Sequence, residues 1–230
     1  MLTRDDRTIP NAVETLRTLR GTGLRHVGWK DVGSTVEVMR ALHDEARHQG
    51  ATTYLEMVAL ELDAEMQGAT TAGELGVDVL LGGVHVQQIS RVLRGSSVRY
   101  YPFVGIPEGH PTDLRGDPAR IEADCRTCLA LGCEGVDLLA YRAVEANPLD
   151  LVRAARAGLG TTGRLVCAGS VNNASQLKNL ASAGCDAFTI GTAVFDNTFA
   201  PDRRTVVEQV TAVLDSSAST HREQQTKPKH

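Results

Sequence analysis

Short apolar runs alternate with amphipathic stretches along almost the whole chain. Leu24–Trp29, Thr52–Ala59, Val77–Leu81, Val98–Phe103, Gly135–Ala140, Leu165–Ala168 and Ala187–Ile190 are mostly apolar and are bounded by glycine or polar residues. That is the pattern of parallel strands covered on both faces. Met1–Arg4 reads as a short first strand of the same kind. Between the runs, apolar residues recur at helical spacing; Leu177, Leu180 and Ala181 fall on one face. Helix boundaries are also marked. Pro10 opens the first helix, through Arg20, and Ser34 caps the second, to about His48. A charged third helix spans about Leu62–Leu75, and a fourth runs from about Val86 to Leu93. Pro118 and Pro148 open the fifth and sixth, which end near Leu131 and Leu159. Asn172 or Asn173 caps the seventh, ended by Gly184, and the last runs from about Arg203 to Leu214.

Eight strands and eight helices in alternation predict an α/β fold with a parallel sheet. Eight even units predict closure into a single (β/α)8 TIM barrel rather than an open sheet. A weak internal repeat agrees: Ala72–Leu81, Leu129–Leu138 and Ala181–Phe188 each read as helix end, glycine, nearby acidic residue, apolar strand. The barrel is expected over residues 1–215. From Ser216 to His230 no apolar periodicity remains, and that stretch, 216–230, reads as a disordered tail.

The two last strands end alike. Gly169-Ser170 follows Leu165–Ala168, and Gly191-Thr192 follows Ala187–Ile190. A glycine there leaves backbone N–H groups open to a ligand, and in a barrel of this kind the loops after strands seven and eight are the usual phosphate site. Cys167-Ala-Gly-Ser-Val171 followed by Thr189-Ile-Gly-Thr-Ala193 resembles the last quarter of the ribulose-phosphate-binding barrels. That superfamily includes isomerases and synthases of histidine and tryptophan synthesis, orotidylate and keto-gulonate-phosphate decarboxylases, hexulose-phosphate synthase and keto-deoxy-phosphogluconate aldolases. The match covers about thirty residues. It implies a substrate phosphate on Gly169, Ser170, Gly191 and Thr192, and it names no single reaction.

Composition narrows the partners. Hydrophobic residues make up 42% of the 230, enough for a sizeable core. The formal net charge of −4, with aromatics at 4%, argues against nucleic acid. No apolar run nears membrane-spanning length and no signal peptide opens the chain, so no membrane partner is expected and a cytoplasmic location is. Self-association is left open. Cys125-x-x-Cys128, with Cys133 nearby, lacks a second pair and falls in a predicted helix, so no metal and no cofactor are expected.

Reacting groups in this fold come from the C-terminal ends of the strands. Lys30 is the leading candidate, because the chain otherwise chooses Arg over Lys for charge: 20 of one against 4 of the other. Among Val27, Trp29 and Val32 its amine could have a lowered pKa and serve as a Schiff-base nucleophile or acid; it could instead bind substrate charge, or close an ion pair with Glu56 or Asp5. Glu56 lies in an apolar strand, where a charge needs a partner. Asp5, beside Asp6, stands where superfamily isomerases and several decarboxylases carry an acid. His110, in a long polar loop after strand five that could act as a lid, is a candidate proton shuttle. His85, Tyr141 and Arg142 are candidates for lining the pocket, and Asp137 shares a strand face with Leu139 and Tyr141. Two departures matter. The decarboxylase pattern Asp-x-Lys-x-x-Asp is absent at Trp29-Lys30-Asp31, and no lysine follows strand six.

The leading expectation is an enzyme for a small phosphorylated sugar or related metabolite. Its reaction would be an aldolase-like, lyase-type carbon–carbon step at Lys30, with Glu56, Asp5 and His110 as further catalytic groups. A sugar-phosphate isomerase or epimerase using two acid/base groups such as Asp5 and His110 is the second reading, and a non-catalytic barrel that binds a phosphorylated ligand is the third.

Overall fold

The computed structural model describes residues 1–225. The chain opens with a tight antiparallel hairpin, β1 (Thr3–Arg4) and β2 (Arg7–Thr8), turned by Asp5 and Asp6. Helix α1 (Ala12–Thr18) follows. Then come β3 (His26–Lys30), α2 (Val36–His48), β4 (Thr52–Met57), α3 (Leu62–Leu75), β5 (Val79–Gly82), α4 (Val86–Val92) and β6 (Arg99–Tyr101). These four strands form one parallel sheet in chain order. A second hairpin, β7 (Ile106–Glu108) and β8 (Asp113–Arg115), precedes α5 (Pro118–Ala130). The rest of the wall is β9 (Gly135–Leu138), β10 (Arg164–Cys167) and β11 (Ala187–Phe188), also parallel, with α6 (Pro148–Leu159) and α7 (Ala174–Ala183) between them. A short α8 (Thr192–Phe195) and a long α9 (Val206–Gln225) complete the described chain.

The two sheets join into a barrel at both seams. Asp137 N–H donates to the Pro102 carbonyl at 2.8 Å, beside a bridge between Phe103 and Asp137. On the opposite side, Leu2 N–H donates to the Gly28 carbonyl and the Met1 amine to the Ile190 carbonyl, each at 2.7 Å. Val79, Leu81, Tyr101 and Val166 fill the inside of the barrel, flanked by Tyr54 and Ala187. The larger core lies between strands and helices, around residues such as Trp29, Leu55, Leu80 and Leu165, all fully buried. Among the described residues no helix is long and apolar enough to cross a membrane.

The elements start and stop where local chemistry dictates. Asp117, Asn147 and Asn173 accept the first-turn N–H groups of α5, α6 and α7, and Pro118 and Pro148 open two of those helices. Gly76 and Gly184 end α3 and α7 at positive φ, +70° and +103°. Helix α2 is capped by Thr35, one residue beyond the expected Ser34.

Four local expectations are corrected. The first strand is not a plain strand leading to a turn; β1 folds back on β2. The stretch expected as a loop after the fifth strand is largely the β7–β8 hairpin. The eighth strand gives way at once to the extra helix α8. The barrel does not stop at residue 215: Ser216–Gln225 continue α9 rather than forming a disordered tail, and 226–230 lie outside the described residues. The buried stripe Val210, Val213 runs on through half-buried Ser217 to buried Thr220, so small and hydroxyl residues continue a helical face that hydropathy alone does not register.

Close packing of α5 on α6 depends on Gly158. A Cβ there would press on the Glu122 carbonyl and come within 2.8 Å of the Cys125 Cβ. Gly73, exposed on α3, has open space around it. Gly158→Ala should lower stability by about 1–3 kcal/mol through overpacking. Gly73→Ala should raise it by about 0.5–1 kcal/mol. Urea melts of the two variants check this pair; equal effects would mean that the α5–α6 contact yields.

Candidate functional site

Lys30 is the last residue of β3, and Glu56 stands beside it in register on β4. Both side chains point into the barrel mouth. The β1–β2 hairpin brings Asp6 to the same place. Its turn is built from two consecutive positive-φ residues, Asp5 at 51° and Asp6 at 58°, the geometry of a two-residue hairpin loop. Aspartate tolerates that conformation better than most residues do. Thr8, on β2, locks the hairpin to β3: its hydroxyl donates to the Lys30 carbonyl at 2.7 Å and accepts from Lys30 N–H at 2.9 Å. Arg142 ends a 3-10 turn, Ala140–Arg142, that follows β9.

Four charges meet there. The Lys30 ammonium lies 2.8 Å from Asp6 Oδ1 and 2.9 Å from Glu56 Oε1. The Arg142 guanidinium grips both Asp6 oxygens, at 2.6 and 2.7 Å, and donates to the Thr112 carbonyl at 3.1 Å. The side chains of Lys30, Asp6 and Glu56 are 9%, 7% and 4% exposed. Burial acts to lower the Lys30 pKa, but Glu56 and Asp6 outweigh it and raise the pKa above its ordinary value. The amine expected to have a lowered pKa is instead held as an ammonium. Burial likewise opposes the Asp6 charge, and Arg142 and Lys30 together hold its carboxyl well below the usual range. Below them, Asp137 is fully buried with both carboxyl oxygens unpartnered among the described residues. Burial first, and the Glu56 charge second, push its carboxyl well above the ordinary value.

A cavity of about 390 Å³ opens above this group. Lys30, Glu56, Asp6 and Arg142 form one side, and Gly169, Ser170, Gly191 and Thr192 form the other. Gly169 (φ 74°) and Ser170 (φ 56°) make a turn of two left-handed residues. A Cβ at Gly169 would run into the Arg142 side chain, whose buried Nε has no partner among the described residues. A Cβ at Gly191 would strike Thr3. Glycine is therefore required at both turns by close packing, and both leave backbone facing the cavity.

The predicted residues divide sharply. Lys30, Glu56, Arg142 and the four turn residues line one cavity. Asp5 lines the cavity rim, but its side chain is 80% exposed and its nearest charge is Arg4 at 3.8 Å; Asp6 takes the place expected of it. The turn conformation aims one aspartate out and the next in. His110 is exposed at the tip of the β7–β8 hairpin and does not line the cavity, although its neighbour Pro111 does. His85 is also outside it. Its Nδ1 meets buried Glu65 at 3.0 Å, and the same carboxylate accepts from Val84 N–H and His85 N–H, so the pair holds the loop after β5. Tyr141 packs its ring against the main core instead of lining the pocket. Asp6 and Asp137 are the residues that gained importance. Cys125, Cys128 and Cys133 are free and buried, and burial pushes the Cys125 thiol up to about 12. No group of three or more potential metal ligands occurs among the described residues.

No family model and no curated protein matches the chain. Its structure does match solved ones. A chain described as the native KDPGal structure shares 14% identity at a TM-score of 0.65, covering 94% of this chain and 90% of that one. Orotidine 5'-phosphate decarboxylase from Pyrococcus horikoshii OT3 shares 13% identity at 0.65, covering 90% and 93%. The Amycolatopsis orientalis BexX/CysO complex gives 16% at 0.65, covering 94% and 89%. At such identities the likeness is one of fold, and it agrees with the (β/α)8 barrel.

Asp6 anchors both cations, so Asp6→Asn should destabilise the chain at pH 7 by about 3–5 kcal/mol, the cost of breaking a buried pair. Its folded pKa is depressed. Its contribution is therefore complete above the unfolded value of about 3.9 and is lost as pH falls toward the folded one. The gap between wild type and Asp6→Asn in urea melts should shrink from pH 7 to pH 3. A gap that stays constant would mean the ion pairs contribute nothing.

Proposed function

We propose that this chain is an enzyme that acts on a small phosphorylated carbonyl compound. In this reading the phosphate sits on the Gly169-Ser170 and Gly191-Thr192 turns and the carbonyl oxygen meets Lys30. The observation that supports it most is the arrangement around one cavity. An ammonium has three donors, Asp6 and Glu56 occupy two of them, and the third is free for a substrate oxygen. The open backbone of the Gly169-Ser170 and Gly191-Thr192 turns stands across from it. Among the proteins of similar fold, orotidine 5'-phosphate decarboxylase is by its name an enzyme of a phosphate ester, which is compatible with a phosphate subsite here.

The reaction favoured is carbon–carbon cleavage or formation of the aldol type, without an imine. In the cleavage direction, the Glu56 carboxylate takes the proton of a hydroxyl β to the carbonyl. The carbon–carbon bond then breaks, its electron pair moves into the carbonyl, and the resulting enolate oxygen is stabilised by the Lys30 ammonium. Glu56 returns its proton to the enolate carbon, so no proton is gained or lost overall. Asp6 and Arg142 keep Lys30 charged and in place. A Schiff base would need Lys30 to lose a proton while two carboxylates favour keeping it, which is the reason for setting that route aside. The isomerase route through Asp5 and His110 has less support, because those side chains lie apart and His110 is outside the cavity.

Two experiments test this. A thermal-shift screen with inorganic phosphate and a panel of sugar phosphates should stabilise wild type by on the order of 5–10 °C at saturation and leave Ser170→Asp unmoved. Aspartate suits the left-handed conformation at that position, so the variant should fold; equal shifts in both would remove the phosphate subsite. With a substrate so identified, Lys30→Met should lose turnover by at least about 10²-fold, and borohydride should trap no adduct on wild type. A trapped adduct at Lys30 would replace the enolate route with an imine.

A further inference from the structure

The cysteines around the end of α5 carry a chemistry that the mouth cavity does not use. Cys125 and Cys128 lie on the helix, Cys133 follows it, and all three are free and buried. The spacing Cys125-x-x-Cys128 suggests those two as partners, but the fold pairs Cys128 with Cys133. Past Ala130 the chain turns at Gly132, whose φ is +88°. The Gly132 N–H donates to the Leu129 carbonyl and the Cys133 N–H to the Cys128 carbonyl, each at 3.0 Å. This two-bond closure of a helix end brings the side chains at the two ends of its longer bond into contact. Here both of those positions are cysteine. Cys125 is taken up elsewhere: its Cβ packs on Gly158 of α6, 2.8 Å from where a Cβ there would stand.

The surroundings give the two thiols different roles. The Cys128 thiol donates to the Cys133 sulfur, and Ser90 on α4 is a second donor to it; against burial, they lower the Cys133 pKa. The same bond, with burial, raises that of Cys128. One sulfur is thus the better nucleophile, and its neighbour keeps a proton for a leaving group. The Tyr100 hydroxyl on β6 is buried beside both sulfurs and has no partner among the described residues. It can hydrogen-bond a small polar molecule that enters there. Cys128 and Cys133 are only 4% and 6% exposed, so an oxidant that reaches them must be small.

We propose that Cys128 and Cys133 are a redox-active pair that hydrogen peroxide closes into a disulfide, stapling the end of α5 to the chain that enters β9. The Cys133 thiolate attacks one peroxide oxygen, and the O–O bond breaks. A sulfenic acid forms on Cys133, and the other oxygen leaves as hydroxide, which takes up the proton that Cys133 had released to solvent. The Cys128 sulfur then attacks the Cys133 sulfur. The S–O bond breaks, and its oxygen leaves with the Cys128 proton as a second water. Two thiols lose two electrons and two protons, and one peroxide is reduced to two waters.

The test treats the reduced, folded chain with hydrogen peroxide and compares its mass and its cysteine peptides before and after. The product should be lighter by two hydrogen atoms, carry a Cys128–Cys133 link, and return to the starting mass with dithiothreitol. It should also melt on the order of 4–8 °C above the reduced chain, as a short closed loop constrains the unfolded state. Cys125→Ala should keep the link, and Cys128→Ala should lose it and gather oxygen on Cys133. Peroxide that leaves Cys128 and Cys133 unlinked in wild type, or that joins either of them to Cys125, would overturn the pairing. A Cys128–Cys133 link with an unchanged melting temperature would overturn the staple.

Discussion

The buried contact of Lys30 with Asp6 and Glu56, extended by Arg142 through Asp6, is the interaction on which the rest of the structure depends. It joins the β1–β2 hairpin, β3, β4 and the turn after β9, and it links residues 136 positions apart in the chain. Charges so deeply buried are tolerated only when each is matched, and here two cations face two carboxylates. The matching also explains why the Asp137 carboxyl, immediately below, is pushed well above its ordinary value: a third carboxylate in the same low-dielectric space would have no cation left to itself. The network is thus both a clasp for the barrel and a constraint on its chemistry.

That constraint bears on the proposed reaction. A barrel-mouth lysine invites an imine, but an amine held by two carboxylates is a poor nucleophile and a good electrostatic partner for developing negative charge. In the proposed reading the cavity has one end that would stabilise an oxyanion and another, at the glycine turns, that would take a phosphate. Gly169 shows how closely the two ends are coupled, since the Arg142 side chain that holds Asp6 also packs on the Gly169-Ser170 turn. A substrate bridging the two would touch both arms of one rigid network.

The barrel was legible in the sequence because its signals are local: apolar runs recur along the chain, and helix caps and glycine stops mark several of the units between them. The two glycine turns that line the cavity were legible for the same reason, as Gly169-Ser170 and Gly191-Thr192 sit directly after apolar runs. Lys30, Glu56 and Arg142 could be picked out as charges at strand ends. What could not be read was direction. Asp5 and Asp6 are the same residue type side by side, and only the positive-φ hairpin turn sends Asp6 inward and Asp5 to solvent. The hairpin's signal is the pair of aspartates at the centre of Thr3–Thr8, with flanks too short to register as two strands. His85 and His110 look alike in sequence, yet one is tied to a buried Glu65 and the other stands on a hairpin tip. The sign of the Lys30 pKa shift turned on this too, because its apolar sequence neighbours say nothing of the acids that the fold brings to it.

The most direct measurement is the protonation state of the Lys30 side chain, followed by NMR of the lysine Nζ or Cε signals from pH 6 to 11. The chain has only 4 lysines, and Lys30→Met identifies the signal. The account predicts that Lys30 stays an ammonium beyond the ordinary lysine value of about 10.4. A midpoint near about 7, in the range of lysines whose pKa is lowered for chemistry, would contradict it and make Lys30 a nucleophile.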